Sequence, residues 1–109
     1  MLLKGRACQV YIKGEFNVYS DKSVIINKTG LHARPASEFV SMAKRFACDI
    51  TVRRTGGDDE EPVNAKSIVL LLSLGICEGD EIEIVADGEA EQQAVKTLVG
   101  LLATGFGEI

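Results

Sequence analysis

Apolar residues in this chain switch between strand spacing and helix spacing repeatedly after Ser23, and few folds accommodate that alternation. Val24, Ile25 and Ile26 are contiguous and β-branched, which predicts a core strand over Ser23–Lys28. Ala36, Phe39, Val40, Ala43, Phe46 and Ala47 then recur on one helix face, predicting a helix from Ala33 to Ala47 with Glu38, Ser41, Lys44 and Arg45 opposite. Cys48–Arg54 alternates Ile50 and Val52 inward with Thr51 and Arg53 outward, the pattern of a half-buried strand. Gly56-Gly57-Asp58-Asp59 breaks it, and Glu60–Ala65 is expected to return as a short antiparallel partner. Ser67 suits the N-cap of a short helix over Ile68–Leu74, with Gly75 placed to end it. Asp80–Ala86 alternates again, with Ile82 and Ile84 on one face. Glu89–Ala103 carries Ala94, Val95, Leu98, Leu101 and Leu102 at helical spacing. Asp87 and Glu89 favour its start electrostatically. Gly100 costs that helix about 1 kcal/mol relative to alanine, and Gly105 and Gly107 mark its end. The order from Ser23 is β-α-β-β-α-β-α, which suits an α+β open-faced sandwich with one sheet covered on one side by helices.

Length and charge narrow the function classes. One hundred and nine residues fit one domain with a core able to fold unaided. The net charge of −4 argues against nucleic acid as a partner, since binding a phosphate backbone needs a basic face. Asp58-Asp59-Glu60-Glu61 reads as a solvated loop. Cys8, Cys48 and Cys77 form no close metal-ligand pair and leave an odd count, so neither a metal site nor a disulfide framework is expected. Cys48 and Cys77, in apolar surroundings, read as small buried hydrophobes. The start, Met-Leu-Leu-Lys-Gly-Arg, lacks a signal peptide's apolar stretch, and the run Ile68–Leu72 is far too short to span a bilayer. A cytoplasmic location without membrane insertion is expected. Residues 1–21 stand apart as a β-rich extension to a domain over 22–109. Gln9–Tyr19 could form a hairpin turning at Gly14 or an edge strand, and such an edge could pair with a second chain to give a dimer.

The only histidine, His32, precedes the first helix in the run Thr29-Gly30-Leu31-His32-Ala33-Arg34-Pro35-Ala36-Ser37. A lone histidine in a small domain is usually a surface or capping residue. Here Gly30 frees the backbone to turn, and Pro35 is tolerated only in a helix's first turn, so His32 falls at or near the N-cap. A helix N-terminus offers unpaired N–H groups and partial positive charge to phosphate. Arg34 adds a planar fork of donors suited to phosphate oxygens. Imidazole can carry a group covalently at neutral pH. The combination points to a histidine that accepts and passes on a phosphoryl group. No Walker-type phosphate loop is present, so neither nucleotide nor other cofactor is expected.

Gly30-Leu31-His32-Ala33-Arg34-Pro35-Ala36 resembles the active-site signature of HPr, the histidine-containing phosphocarrier family of the bacterial sugar phosphotransferase system. Asn64-Ala65-Lys66-Ser67-Ile68, continuing to Ser73-Leu74-Gly75, resembles that family's second signature, around its regulatory serine. The resemblance covers residues 22–109 and implies a four-stranded antiparallel sheet covered on one face by three helices. It implies that His32 is phosphorylated on Nδ1 by phosphorylated enzyme I, with phosphoenolpyruvate as the original donor. His32 would then pass the group to an enzyme IIA domain of a sugar transporter, with Arg34 steadying the phosphate. The chain would be a covalent carrier between phosphotransferases rather than an enzyme. Ser67 corresponds to the serine that an ATP-dependent HPr kinase/phosphorylase modifies in many members. Leu31, Ala33, Ile68, Val69 and Leu72 would form the docking surface. The other reading is a regulatory HPr-like module that acts through phospho-Ser67 on a transcription regulator, or in carbon or nitrogen control. The run Ile68-Val69-Leu70-Leu71-Leu72 departs from the methionine and glycine common there, and residues 1–21 have no counterpart in the family pattern.

Overall fold

The computed structural model describes residues 11–13, 16–55 and 61–107. Cys8, the turn expected at Gly14, the Gly56–Asp59 break and most of the acidic run lie outside the described residues. The elements are β1 (Tyr11–Lys13), β2 (Phe16–Val24), α1 (Ala33–Ala43), β3 (Asp49–Arg54), β4 (Val63–Asn64), α2 (Ile68–Ser73), β5 (Glu81–Asp87) and α3 (Glu91–Ala103). A 3₁₀ turn over Gly105–Gly107 follows. The strands form one antiparallel sheet in the order β1-β2-β5-β3-β4. Its β2-β5-β3-β4 part is the expected four-stranded sheet. The extension supplies a fifth strand, β1, which pairs with the outer edge of β2 with Tyr11 opposite Val18 and Lys13 opposite Phe16.

Strand alternation sorts the sheet into two faces. On β5, Ile82, Ile84 and Ala86 are fully buried. They register with Ser23, Asp21 and Tyr19 of β2, and Ile84 and Ala86 register with Val52 and Ile50 of β3. Against this face pack Phe39, Val40 and Ala43 of α1, Leu71 of α2, and Ala94, Val95, Leu98 and Leu102 of α3. Burying each large aliphatic or aromatic side chain contributes about 1.5–3 kcal/mol. On the uncovered face, Lys22, Glu83 and Arg53 form one cross-strand row, with Arg53 Nη2 2.8 Å from Glu83 Oε1.

Several boundaries differ from the sequence expectation. The first core strand runs Phe16–Val24, not Ser23–Lys28, so it crosses the expected domain limit at residues 21 and 22. Ile25 is buried beyond the strand's end and bonds to the loop before β5: its N–H donates to Asp80 O at 2.8 Å and its carbonyl accepts from Gly79 N at 2.8 Å. Helix α1 stops at Ala43 rather than Ala47, and Ala47 is exposed. There the Lys66 ammonium donates to the carbonyls of Phe46 (2.6 Å) and Cys48 (2.8 Å), holding the chain in a turn. Helix α3 begins at Glu91, so Glu89 precedes it and Glu91 provides the first-turn acid. Cys48 is buried as expected, but Cys77 is exposed because Ile76, its neighbour, takes the core position.

Candidate functional site

The loop from Asn27 to His32 is fixed from two sides. Its turn closes with Gly30 N–H donating to Asn27 O at 3.1 Å. The Asn27 amide, fully buried, donates from Nδ2 to Gly30 O at 2.8 Å and to Thr29 Oγ1 at 3.4 Å. Gly30 has φ +66, and a Cβ there would lie 2.4 Å from Ile76 O and 2.9 Å from Cys77 Cα. Only glycine permits that approach, which lets Leu31 N–H donate to Ile76 O at 3.1 Å. The segment receiving these contacts is itself braced: Asp80 Oδ2 accepts from Cys77 N at 2.8 Å, and Arg54 donates to Leu74 O beside Asp80.

His32 emerges from this loop as the N-cap of α1, with extended backbone at φ −132, ψ 152. Its side chain makes no capping hydrogen bond and the residue is exposed, so the imidazole is available for chemistry. Ala33, the first helical residue, has φ 45, a left-handed conformation costing a non-glycine residue about 1–2 kcal/mol. Pro35 sits in the first turn, where its missing N–H costs nothing, and is buried. The N–H groups of Ala33 and Arg34 fall within the turn that has no intrahelical acceptors. Arg34 Nη1 lies 2.7 Å from Glu38 Oε2, and its Nη2 lies 3.5 Å from Phe106 O in the closing 3₁₀ turn. His32 lines a cavity of about 320 Å³ with Thr29, Leu31, Leu72, Gly75, Ile76 and Cys77.

Ser67 is the N-cap of α2, its Oγ accepting from Leu70 N at 3.2 Å. Behind it, α2 buries only Leu71 and exposes Ile68, Val69, Leu70 and Leu72. α1 and α2 pack together, and Leu72 lines the His32 cavity, so the exposed apolar residues of α2 and the histidine share one region. Leu31, expected at a docking surface, is 2% exposed: its side chain belongs to the core. Leu70, not expected there, is exposed. Sequence reasoning did not single out Asn27 or Phe106, and it read Glu38 only as part of the outer helix face and Cys77 as a buried hydrophobe. The Asn27-x-x-Gly30 spacing signals the turn, whereas Phe106 and Cys77 reach the site only through tertiary packing. Among the described residues, no group of three or more His, Cys, Asp or Glu could hold a metal ion.

The model of the PTS-HPr family, "PTS HPr component phosphorylation site", matches residues 19–104. This chain belongs to the HPr family. It is 45% identical over 87 residues to phosphocarrier protein HPr of Haemophilus influenzae, covering 80% of this chain and 98% of that one. It is 46% identical over 71 residues to the HPr-like protein Crh of Bacillus subtilis, covering 65% of this chain and 79% of Crh. The crystal structure of HPr-C-His from Thermoanaerobacter tengcongensis superposes with a TM-score of 0.75 at 43% identity, covering 83% of this chain and 97% of that one. A phosphocarrier role in the phosphotransferase system follows for this HPr-family chain, and its open sheet with three helices is the fold of its structural neighbours. No helix among the described residues is long and apolar enough to cross a membrane.

Proposed function

We propose that His32 accepts a phosphoryl group from phosphorylated enzyme I, charged by phosphoenolpyruvate, and passes it to an enzyme IIA domain of a sugar transporter. The observation that carries this reading is an exposed N-cap histidine whose imidazole caps nothing, two residues before an arginine. The Nδ1 lone pair attacks phosphorus, an N–P bond forms, and the donor's bond to the same phosphorus breaks. Onward transfer reverses the roles. Such transfer asks mainly for alignment and charge stabilisation, which the α1 N–H groups and Arg34 can supply. Ala33, Ile68, Val69 and Leu72, joined by Leu70, would form the surface on which both partners dock. The partners implied are cytoplasmic, and β1 offers an outer strand edge through which two copies could pair.

The test is intact mass after incubation with enzyme I and phosphoenolpyruvate. One acid-labile phosphate that is absent from His32→Ala supports the reading, and undiminished labelling of that variant refutes it. Arg34→Ala should slow the transfer without unfolding the domain.

Ser67 supports a second reading, regulation by an ATP-dependent HPr kinase/phosphorylase with a transcription regulator as listener. Its Oγ lies at a helix N-terminus, where added phosphate is electrostatically welcome. The next residues are exposed and apolar, so the same charge would repel a partner that buries them. Incubation with ATP and an HPr kinase should add one acid-stable phosphate that Ser67→Ala lacks.

A further inference from the structure

Arg34 is the cation nearest in sequence to the phosphorylatable histidine, and its guanidinium already meets Glu38 and the Phe106 carbonyl. Nη1 lies 2.7 Å from Glu38 Oε2, one helical turn on, and Nη2 lies 3.5 Å from the carbonyl of Phe106. Both charged side chains are substantially open, 60% exposed for Arg34 and 41% for Glu38, so the pair can exchange without disturbing the core. A phosphoryl group on His32 brings about −1.5 to −2 charges into the same first turn. It presents oxygens that suit the same planar donors. Glu38, a carboxylate at (i, i+4), and a phosphoryl group on the N-cap then compete for the same guanidinium. The Phe106 carbonyl, being neutral, competes weakly with either.

We propose that Glu38 is a positioning residue that holds Arg34 in reserve and, by competing for it, keeps the phosphohistidine weakly bound and ready to leave. This assignment rests on the phosphocarrier reading and adds to it a residue that tunes how firmly the group is held. A carrier needs such restraint, because every increment of ground-state binding to the phosphoryl group must be given back on onward transfer. The size of the effect follows from the geometry. Exposed ion pairs at (i, i+4) are weak, and releasing one changes a competing equilibrium by about twofold.

The test needs no partner protein. The full chain and its Glu38→Gln, Arg34→Ala and double variants are phosphorylated on His32 with phosphoramidate, and each phosphohistidine is followed by ³¹P nuclear magnetic resonance as pH is varied. Removing the Glu38 carboxylate's claim on Arg34 should favour the dianionic phosphoryl group, so Glu38→Gln should lower its second ionisation midpoint by about 0.3 pH unit, the logarithm of a twofold change. In the Arg34→Ala background, Glu38→Gln should then have no effect on the midpoint. An equal shift with and without Arg34 would mean that Glu38 acts by direct repulsion and would overturn the assignment, as would no shift in either background. A purely structural role for Glu38 would change thermal unfolding and leave the midpoint alone, which also refutes it. Failure of enzyme I to label a chain that phosphoramidate does label counts against the proposed donor and leaves this assignment standing. Absence of any phosphohistidine under phosphoramidate overturns both.

Discussion

Replacing Gly30 by alanine should destabilise the domain by considerably more than the same change at Gly75, although both have nearly the same positive φ. Gly30 has φ +66 and Gly75 has φ +62. Placing alanine in that left-handed region costs about 1–2 kcal/mol at either position. At Gly75 nothing lies within 4 Å of the new Cβ, so the conformational cost is the whole effect. At Gly30 the Cβ would sit 2.4 Å from Ile76 O and 2.9 Å from Cys77 Cα, both backbone atoms that no rotamer change can move aside. Ordinary contact begins near 3.4 Å, so the two segments must separate by about 1 Å (3.4 − 2.4). That parts the Leu31 N–Ile76 O bond, now 3.1 Å, and an unmade bond at such a place costs about a further 1–3 kcal/mol. The expected losses are therefore about 2–5 kcal/mol for Gly30→Ala and about 1–2 kcal/mol for Gly75→Ala. Urea unfolding followed by circular dichroism measures both, with the two slopes compared to check that the transition remains cooperative. Because the parted bond anchors the residue before His32, Gly30→Ala should also slow phosphorylation under native conditions. Equal stability losses in the two variants would refute the close-approach argument.

Within α2, Leu71→Ala should cost about 2–5 kcal/mol, since that side chain is fully buried, and thermal melts will show it. Val69→Ser should change stability by less than about 0.5 kcal/mol at a 71% exposed position, yet reduce the rate of phosphoryl exchange with a docking partner; an unchanged rate would remove Val69 from that surface. Of the two described cysteines, Cys77 should be alkylated by iodoacetamide in the native protein and Cys48 only after unfolding, as read by peptide mass mapping. Burial pushes the Cys48 thiol above its ordinary range, so its reactive thiolate is scarce even at mildly alkaline pH.

What the sequence conveys here is whatever is encoded by near neighbours. The spacing of Phe39, Val40 and Ala43 shows α1, and alternation shows β3 and β5, because each element must turn one face to the core. The position of His32 at a helix start is legible from Gly30 and Pro35, and the Ser67 cap from the apolar run behind it. Features set by distant residues are not legible. The β-branched run Val24-Ile25-Ile26 looks like a strand, but the sheet ends at Val24 because Asn27 and Gly30 close a turn. The weaker alternation of Phe16–Val24 conceals the true strand, whose helix-facing side includes Asp21 and Ser23. Phe46 and Ala47 continue the helical spacing, yet a lysine about twenty positions away takes the carbonyls of that turn. Leu31 and Cys77 exchange their expected roles, since which side of a loop faces inward depends on what packs against it.

The strand at the middle of the sheet, β5, is also the last strand in the chain. During synthesis the ribosome therefore delivers β1 with β2, and later β3 with β4, as two ribbons that cannot touch until residues 81–87 arrive between them. Each ribbon meanwhile shows a bare row of backbone donors and acceptors, the kind of edge on which nascent chains stick to one another. The interval between the emergence of Asn64 from the ribosome and that of Asp87 is thus the one in which a chaperone does most to protect this protein.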